Sequence, residues 1–494
     1  MKSHSEWQAL AQTLKFRNQA YINGEYRPAL SGETFASINP ATESTLTEVA
    51  SCDAADVDLA VTNARAVFRA GSWSRMHPRE RKQIMLRWAD LIEQHQDEFA
   101  LLDTLDMGKS ISEMVNIDLP DAIDCFRWTA ESIDKLYGEI APTGEETLAL
   151  ITREPVGVVG AITPWNYPLL MVSWKIAPAL AAGNSVILKP SEKAPLSSLR
   201  LAELATQAGM PDGVFNVLPG FGHTAGQALA LHMDVDVLAF TGSTRVARML
   251  LEYAGQSNMK QIWLEAGGKS HNLVFSDADI DKAAAGAANA IFANQGEVCI
   301  ACSRLYVDSS IKERFVSALL EQAKHYKTGD PLDPNTTMGP LVDAAQLETV
   351  TGYIRSALDE GGTLLLGGEP DYKTGGGYFA KPTIIDNANN EMTFVKEEIF
   401  GPVLALATFE TEAEAIALAN DSKYGLGAAI WTRDLSRAHR VSRALETGMV
   451  WVNTWGEGDS TVPFGGVKES GNGRDKSLHA MDKYSVIKKV LIRL

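Results

Sequence analysis

Cysteine is scarce in this chain: four in 494 residues, at Cys52, Cys125, Cys299 and Cys302. So few cannot staple a chain of this length, which excludes a disulfide framework and predicts reduced thiols. The single Cys-x-x-Cys, Cys299 to Cys302, has neither a second pair nor a nearby His, so it is a poor zinc site and no metal is expected. Positive charge is in short supply as well. Lys and Arg number 45 against 62 Asp and Glu, a formal net charge of -17, with no basic cluster to neutralise phosphates, so no nucleic-acid partner is expected. No apolar run reaches the roughly 18 residues a membrane helix needs. The amino terminus, Met1-Lys2-Ser3-His4-Ser5-Glu6-Trp7, is polar and lacks an apolar signal core, which predicts a cytoplasmic location and no membrane partner. Internal repeats and low-complexity linkers are missing, and no Gly-x-Gly-x-x-Gly follows the first strand of the α/β stretch, so the usual dinucleotide fingerprint is absent.

What is present is ordinary globular material, 45% apolar and 22% charged, in a chain long enough for two or three domains. From Val57 to Asp106 the apolar residues recur at helical spacing and read as surface helices. Between Pro155 and Asp277, short β-type runs at 158–162, 185–188, 214–217, 237–240 and 273–275 alternate with helical segments such as 199–208, the pattern of βαβ units and a parallel sheet covered on both faces. From about Lys269 to Trp455 a second alternation, with strands at 305–307, 403–409, 428–431 and 449–452, predicts a second α/β domain. The segments 147–153 and 486–494 fit neither unit.

Two runs carry chemistry. Cys299 lies in Asn294-Gln295-Gly296-Glu297-Val298-Cys299-Ile300-Ala301-Cys302, and Glu265 in Leu264-Glu265-Ala266-Gly267-Gly268-Lys269. A thiol attacks a carbonyl as thiolate, and the thioester it can form needs an activated water to release it, so one Cys and one Glu suffice for two-step covalent chemistry. A cysteine after an apolar stretch is also, more commonly, a small buried hydrophobe. Further motifs decide between these: Ile162-Thr163-Pro164-Trp165-Asn166-Tyr167-Pro168, Ala181-Ala182-Gly183-Asn184-Ser185-Val186-Ile187-Leu188-Lys189-Pro190-Ser191-Glu192, Phe240-Thr241-Gly242-Ser243-Thr244, Glu397-Glu398-Ile399-Phe400-Gly401-Pro402 and Pro463-Phe464-Gly465-Gly466. In this order and spacing, over nearly the whole chain, they resemble the NAD(P)-dependent aldehyde dehydrogenase superfamily.

That resemblance implies the aldehyde dehydrogenase fold of class α/β. It has a Rossmann-like NAD domain at 1–136 and 156–265, an α/β catalytic domain at 266–480, and a small β oligomerisation element at 137–155 and 481–494 that joins subunits into a homodimer or homotetramer. It implies Cys299 as nucleophile, Asn166 as amide donor to the oxyanion, Glu265 as general base and Lys175 near the nicotinamide end. Read alone, Asn166 is a turn residue ahead of a proline, Glu265 a surface carboxylate ending a strand, and Lys175 a solvated charge. Cofactor contacts implied are Ile162, Thr163, Pro164, Trp165, Lys189, Ser191, Glu192, Gly222, Gly242, Ser243, Glu398 and Phe400, with pyrophosphate at the helix opened by Gly242-Ser243-Thr244. Glu192 accepting from the ribose hydroxyls would repel a 2′-phosphate, which favours NAD over NADP. Members that acylate coenzyme A lack a Glu at the position of Glu265, so a free acid product is expected.

Three departures stand out. Glu297 replaces the Gln most members carry before the nucleophile, and a carboxylate there would raise the thiol pKa unless it points away. Asp475 replaces a Glu thought to relay protons. Ala247 replaces a Gly on the pyrophosphate helix. Cys302 follows Cys299 at helical spacing and reads either as filler or as a resolving thiol under oxidation.

For the substrate, Tyr167, Trp174 and Trp455 occupy positions that form walls of an aromatic box for cations in betaine- and aminoaldehyde dehydrogenases; Ala293 leaves one wall open. Asp118 and Asp121 match an acidic pair that contacts the amine, though Asp118 also reads as a helix cap. The segment Gly458 to Ala480 is closely similar to bacterial gamma-glutamyl-gamma-aminobutyraldehyde dehydrogenases of putrescine degradation. The implied substrate is a small-molecule aldehyde bearing an amine or a gamma-glutamylated amine. The alternatives are a generalist aliphatic or aromatic aldehyde dehydrogenase and, more remotely, a non-catalytic structural or binding relative.

Overall fold

The computed structural model describes residues 1–371 and 376–494. The predicted strands form, with one regrouping. Val158–Ile162, Ser185–Lys189, Phe215–Val217, Val237–Thr241 and Gln261–Glu265 align in parallel in one sheet, whose far side is extended by the hairpin Ala20–Ile22 and Glu25–Arg27. Val158–Ile162 and Ser185–Lys189 are buried along their whole length, as continuous apolar runs covered by helices on both faces must be. The run around Leu273, expected with this group, belongs instead to the second sheet. There His271–Val274 pairs in parallel with Arg304–Asp308 on one side and Gly427–Trp431 on the other. The Gly-Gly step after Glu265 lets the chain leave the first sheet and start the second within a few residues.

The second sheet runs Thr363–Leu366, Thr383–Asp386, Val403–Phe409, Arg304–Asp308, His271–Val274, Gly427–Trp431 and Met449–Val452, parallel except at its first, antiparallel edge. The third sheet has three strands: Thr147–Pro155 lies between Glu139–Ala141 and Ser485–Arg493, in register from Ser485 opposite Pro155 to Arg493 opposite Thr147. The two segments that fitted neither alternation are thus each other's partners.

Helices are as predicted in place but not always in exposure. Ala54–Ala70 and Pro78–Gln94 are amphipathic, whereas Gln96–Met107 is buried from Phe99 to Met107 and is a core helix, not a surface one. Pro168–Ala181 is buried at every position, packed between the first sheet and Leu119–Ser132. Among the described residues, no helix is long and apolar enough to cross a membrane.

Candidate active site

Cys299 sits in a turn after the helix Ile280–Phe292, not on a helix, so the helical face it was expected to share with Cys302 does not exist. Between the helix and the turn the chain passes through Asn294, Gln295 and Gly296 with φ of 45°, 47° and 74°. Left-handed backbone at two non-glycine residues costs free energy unless the surroundings over-determine it, and here they do. Asn294 Nδ2 donates to the carbonyls of Asn166 (2.9 Å) and Glu297 (3.3 Å), and Asn166 Nδ2 donates to the same Glu297 carbonyl at 2.8 Å. A Cβ at Gly296 would lie 2.3 Å from the Gly401 backbone, and one at Gly268 would lie 2.4 Å from the Cys299 carbonyl. The loop is therefore pinned from three sides. Asn166 is buried, and its amide has two N–H donors, so one remains for a substrate oxygen.

Burial, then the carboxylates of Glu265 and Glu398, push the Cys299 thiol up to about 12. It rests as a neutral thiol, and ionisation needs a proton acceptor. Glu297 does not contribute: its fully buried carboxylate turns away and accepts from Val342 N–H at 3.0 Å and from the Gln295 amide at 3.4 Å. Cys302 is buried against Ala290, Ala429 and Trp455, with its thiol pushed up chiefly by burial. That environment is a filler's, not that of a reactive resolving thiol.

Glu265 ends the strand Gln261–Glu265, at the carboxyl edge of the first sheet, but it is buried where a surface carboxylate was the plain alternative. Neither carboxylate oxygen has a hydrogen-bond partner among the described residues. A Cβ at Gly465 would come within 2.7 Å of Oε1 and one at Gly473 within 3.2 Å, so glycines leave the room this side chain occupies. Burial first, and then the neighbouring Asp475, hold its pKa well above the ordinary carboxylate range. Lys175 does not stand free: it reaches out of the buried helix to Oδ2 of Asp475, beside Glu265.

The expected cofactor residues gather along the carboxyl ends of the parallel strands, where open α/β sheets bind nucleotides. Ile162 to Trp165 follow one strand; Lys189, Ser191 and Glu192 the next; Gly242 and Ser243 follow Val237–Thr241; and Gly222 opens the turn Gly222–Gly226. Ser243 caps the helix Thr244–Gln256, its Oγ accepting from Val246 N–H, while Ala247 faces the core rather than the groove. Lys189 Nζ donates to Glu192 at 3.0 Å; burial opposes ionisation of Glu192, but Lys189 outweighs it and the carboxyl lies below its usual range. Glu398 accepts from Gly268 N–H at 2.9 Å and is raised to about 7, chiefly by burial. Phe400, at φ 58°, meets Trp165 edge-on at 5.3 Å. The buried hydroxyls of Thr163 and Thr241 have no partner among the described residues. An open glycine, a capped helix start, orphaned hydroxyls and acidic ribose acceptors fit a dinucleotide.

A cavity of about 630 Å³ leads to Cys299 and contains every expected substrate residue: Tyr167, Trp174, Trp455, Asp118 and Asp121. It also contains two lysines the sequence reading missed. Lys109 Nζ pairs with Asp118 at 2.5 Å and lies 3.2 Å from the centroid of the Tyr167 ring. Lys476 Nζ lies 5.4 Å from the Trp174 centroid and acts on Asp121. Two of the three aromatic faces thus already carry an ammonium of the chain itself; Trp455, held by Nε1 to the Ile300 carbonyl at 3.2 Å, carries none among the described residues. Asp118 makes no capping hydrogen bond, so its role as helix cap is not realised. Nothing in the local sequence signals that a lysine from a distant part of the chain will fold onto an aromatic ring.

A cysteine in a pinned turn at the cavity, a buried carboxylate and a nucleotide-type strand edge are the parts of an enzyme that oxidises carbonyl substrates. The chain belongs to the aldehyde dehydrogenase family, whose model matches residues 26–490. It is 53% identical over 489 residues to the NADP/NAD-dependent aldehyde dehydrogenase PuuC of Escherichia coli, covering 99% of this chain and 98% of that one. Among solved structures it is similar to a gamma-glutamyl-gamma-aminobutyraldehyde dehydrogenase of Burkholderia cenocepacia (TM-score 0.98, 51% identity) and to an indole-3-acetaldehyde dehydrogenase in complex with NAD+ (TM-score 0.99, 55% identity), each over 100% of both chains.

Proposed function

We propose that this chain oxidises an aldehyde carrying a distal amine or gamma-glutamylated amine to the free acid, with NAD preferred, as a cytoplasmic homodimer or homotetramer. The observation that carries the substrate class is the mixed lining of the cavity: Val298, Cys299 and Phe464 share its wall with Lys109, Glu113, Asp118, Asp121 and Lys476. Charges of both signs suit a tail with separated charges. A gamma-glutamyl group has one, with its ammonium beside its carboxylate.

In this reading Cys299 Sγ, its proton first passed to water, bonds as thiolate to the carbonyl carbon, and the oxygen that becomes anionic takes the free N–H of Asn166 and the Cys299 backbone N–H. One such donor typically lowers the barrier by about 3 to 4 kcal/mol. NAD, held by Lys189, Glu192, Ser243 and Glu398, would accept the hydride when bound, leaving an acyl group on Cys299. Glu265 then takes a proton from water, the oxygen attacks the acyl carbon, the C–S bond breaks, and the acid leaves. Lys175 contributes through Asp475 rather than by touching the reacting atoms.

A second reading, a generalist aldehyde dehydrogenase, draws on the lysines that cover Tyr167 and Trp174, since rings already occupied add little for a substrate cation. Kinetics with Trp455→Ala separate the two. The amine-bearing substrate should lose roughly 1 to 2 kcal/mol in kcat/KM beyond the loss of a chain-matched alkanal, because only the cation uses the ring quadrupole. Equal losses would make Trp455 a hydrophobic wall and leave the generalist.

A further inference from the structure

Asp475 is fully buried, and each of its oxygens is taken by a different lysine: Oδ2 by Lys175 and Oδ1 by Lys483. Both lysines are buried, at 1% and 3% side-chain exposure. They come from distant elements, Lys175 from the helix Pro168–Ala181 and Lys483 from the end of the short helix His479–Asp482. The backbone of Asp475 is fixed by reciprocal 2.8 Å hydrogen bonds with Phe464, and the neighbouring bridge between Gly471 and Glu265 brings the segment to the end of the Glu265 strand. Two ammoniums on one carboxylate leave an excess positive charge in a dry interior. Such a charge is destabilising unless matched, and the carboxylate beside it with no partner of its own is Glu265.

We propose that Lys483 is a positioning residue of the deacylation step: with Lys175 on the other oxygen it leaves neither oxygen of Asp475 free to accept a proton from Glu265, and it supplies the charge that makes the group Glu265, Asp475, Lys175 and Lys483 neutral when Glu265 is ionised. This rests on Glu265 as the base. Asp475 is then a fixed anion between two cations and not a relay. Burial opposes its ionisation, but the two lysines outweigh burial and hold it below the usual carboxylate range. The other groups facing the cluster are Arg474, whose guanidinium donates to the Gly466 and Gly473 carbonyls and favours ionised Glu265, the Cys299 thiol, which Glu265 pushes up, and the buried Cys125 thiol and Tyr484 hydroxyl, on which Asp475 acts.

The direction follows from those charges. Glu265 works only when ionised; its pKa is already raised, and Lys483 acts to lower it. Lys483→Met should therefore move the acid limb of deacylation to higher pH, by about one unit, and slow deacylation roughly tenfold at a pH on that limb. Hydrolysis of p-nitrophenyl acetate without NAD reads this directly, because the ester acylates Cys299 with no hydride to transfer. The burst of nitrophenolate should keep its amplitude while the following steady rate falls. Lys483→Arg should restore most of the rate. The double variant Lys483→Met with Asp475→Asn, again balanced in charge, should bring the limb back toward its original pH. An unmoved limb in Lys483→Met would overturn the proposal, as would a double variant no better than the single, which would make Lys483 a tether for the carboxyl-terminal strand. Should the single variant not fold, the double variant and Lys483→Arg carry the same comparison. Glu265→Gln separates this from its premise: if that variant deacylates like wild type the base assignment falls, and if it is slow while Lys483→Met is normal only the Lys483 proposal falls.

Discussion

Glu265 and Glu192 are both carboxylates at the ends of parallel-sheet segments, yet the chain treats them in opposite ways. Glu265 has no hydrogen-bond partner among the described residues, and burial, then the neighbouring Asp475, make it bind protons well above the usual carboxylate range. Glu192 is only partly buried and is held ionised by Lys189. A base needs the first environment and an acceptor for ribose hydroxyls the second. If Glu192 faces the ribose, a 2′-phosphate meets a fixed negative charge, so kcat/KM with NAD should exceed that with NADP by at least about tenfold, roughly 1.4 kcal/mol. Glu192→Gln should narrow the ratio, and a wild type indifferent to the two cofactors would refute the assignment. At this scale Cys299, Glu265 and Asn166 were legible because their chemistry sits in contiguous motifs. Glu297 was not: whether a carboxylate faces the thiol depends on the Val342 N–H supplied from elsewhere in the chain. Lys109 and Lys476 were invisible for the same reason, since covering a ring is a tertiary contact.

Elements were read best where periodicity was strongest. The runs at Val403–Phe409 and Met449–Val452 have the expected bounds, and four parallel strands of the first sheet are within a residue or two, while the fifth, Gln261–Glu265, was not among the expected strands. Failures came where a local period served two meanings. The three-residue spacing of Cys299 and Cys302 suits a helix, but the left-handed Asn294 and Gln295 break it, and the helical pattern ending at Asp106 hides that all its last turns are buried. The strand Ser485–Arg493 pairs along its full length with Thr147–Pro155, yet leaves Ile487, Leu491 and Ile492 exposed, with Tyr137 and Ile140 on the neighbouring segment. An exposed apolar edge of this kind invites pairing with another chain. Wild-type protein should run as a dimer or tetramer in size-exclusion chromatography with light scattering. Deletion of residues 485–494 should abolish that assembly or cause aggregation. A monomeric wild type would contradict the reading of this sheet as a joining element.

For the whole molecule, the two large sheets meet through the chain segment after Glu265, which ends the first and within a few residues begins the second at His271. That connection puts Glu265 at the end of one sheet, while the turn carrying Cys299 runs directly into Arg304–Asp308 of the other. The proposed chemistry then has two stages, acylation at Cys299 and release through Glu265. The most direct test is a rapid-mixing experiment on Glu265→Gln with aldehyde and NAD, followed by intact-mass spectrometry. The expected result is a burst of NADH close to one equivalent per chain, slow turnover afterwards, and an acyl mass on the protein that maps to Cys299 and is absent from Cys299→Ala. Steady turnover at the wild-type rate, with no burst and no adduct, would contradict it.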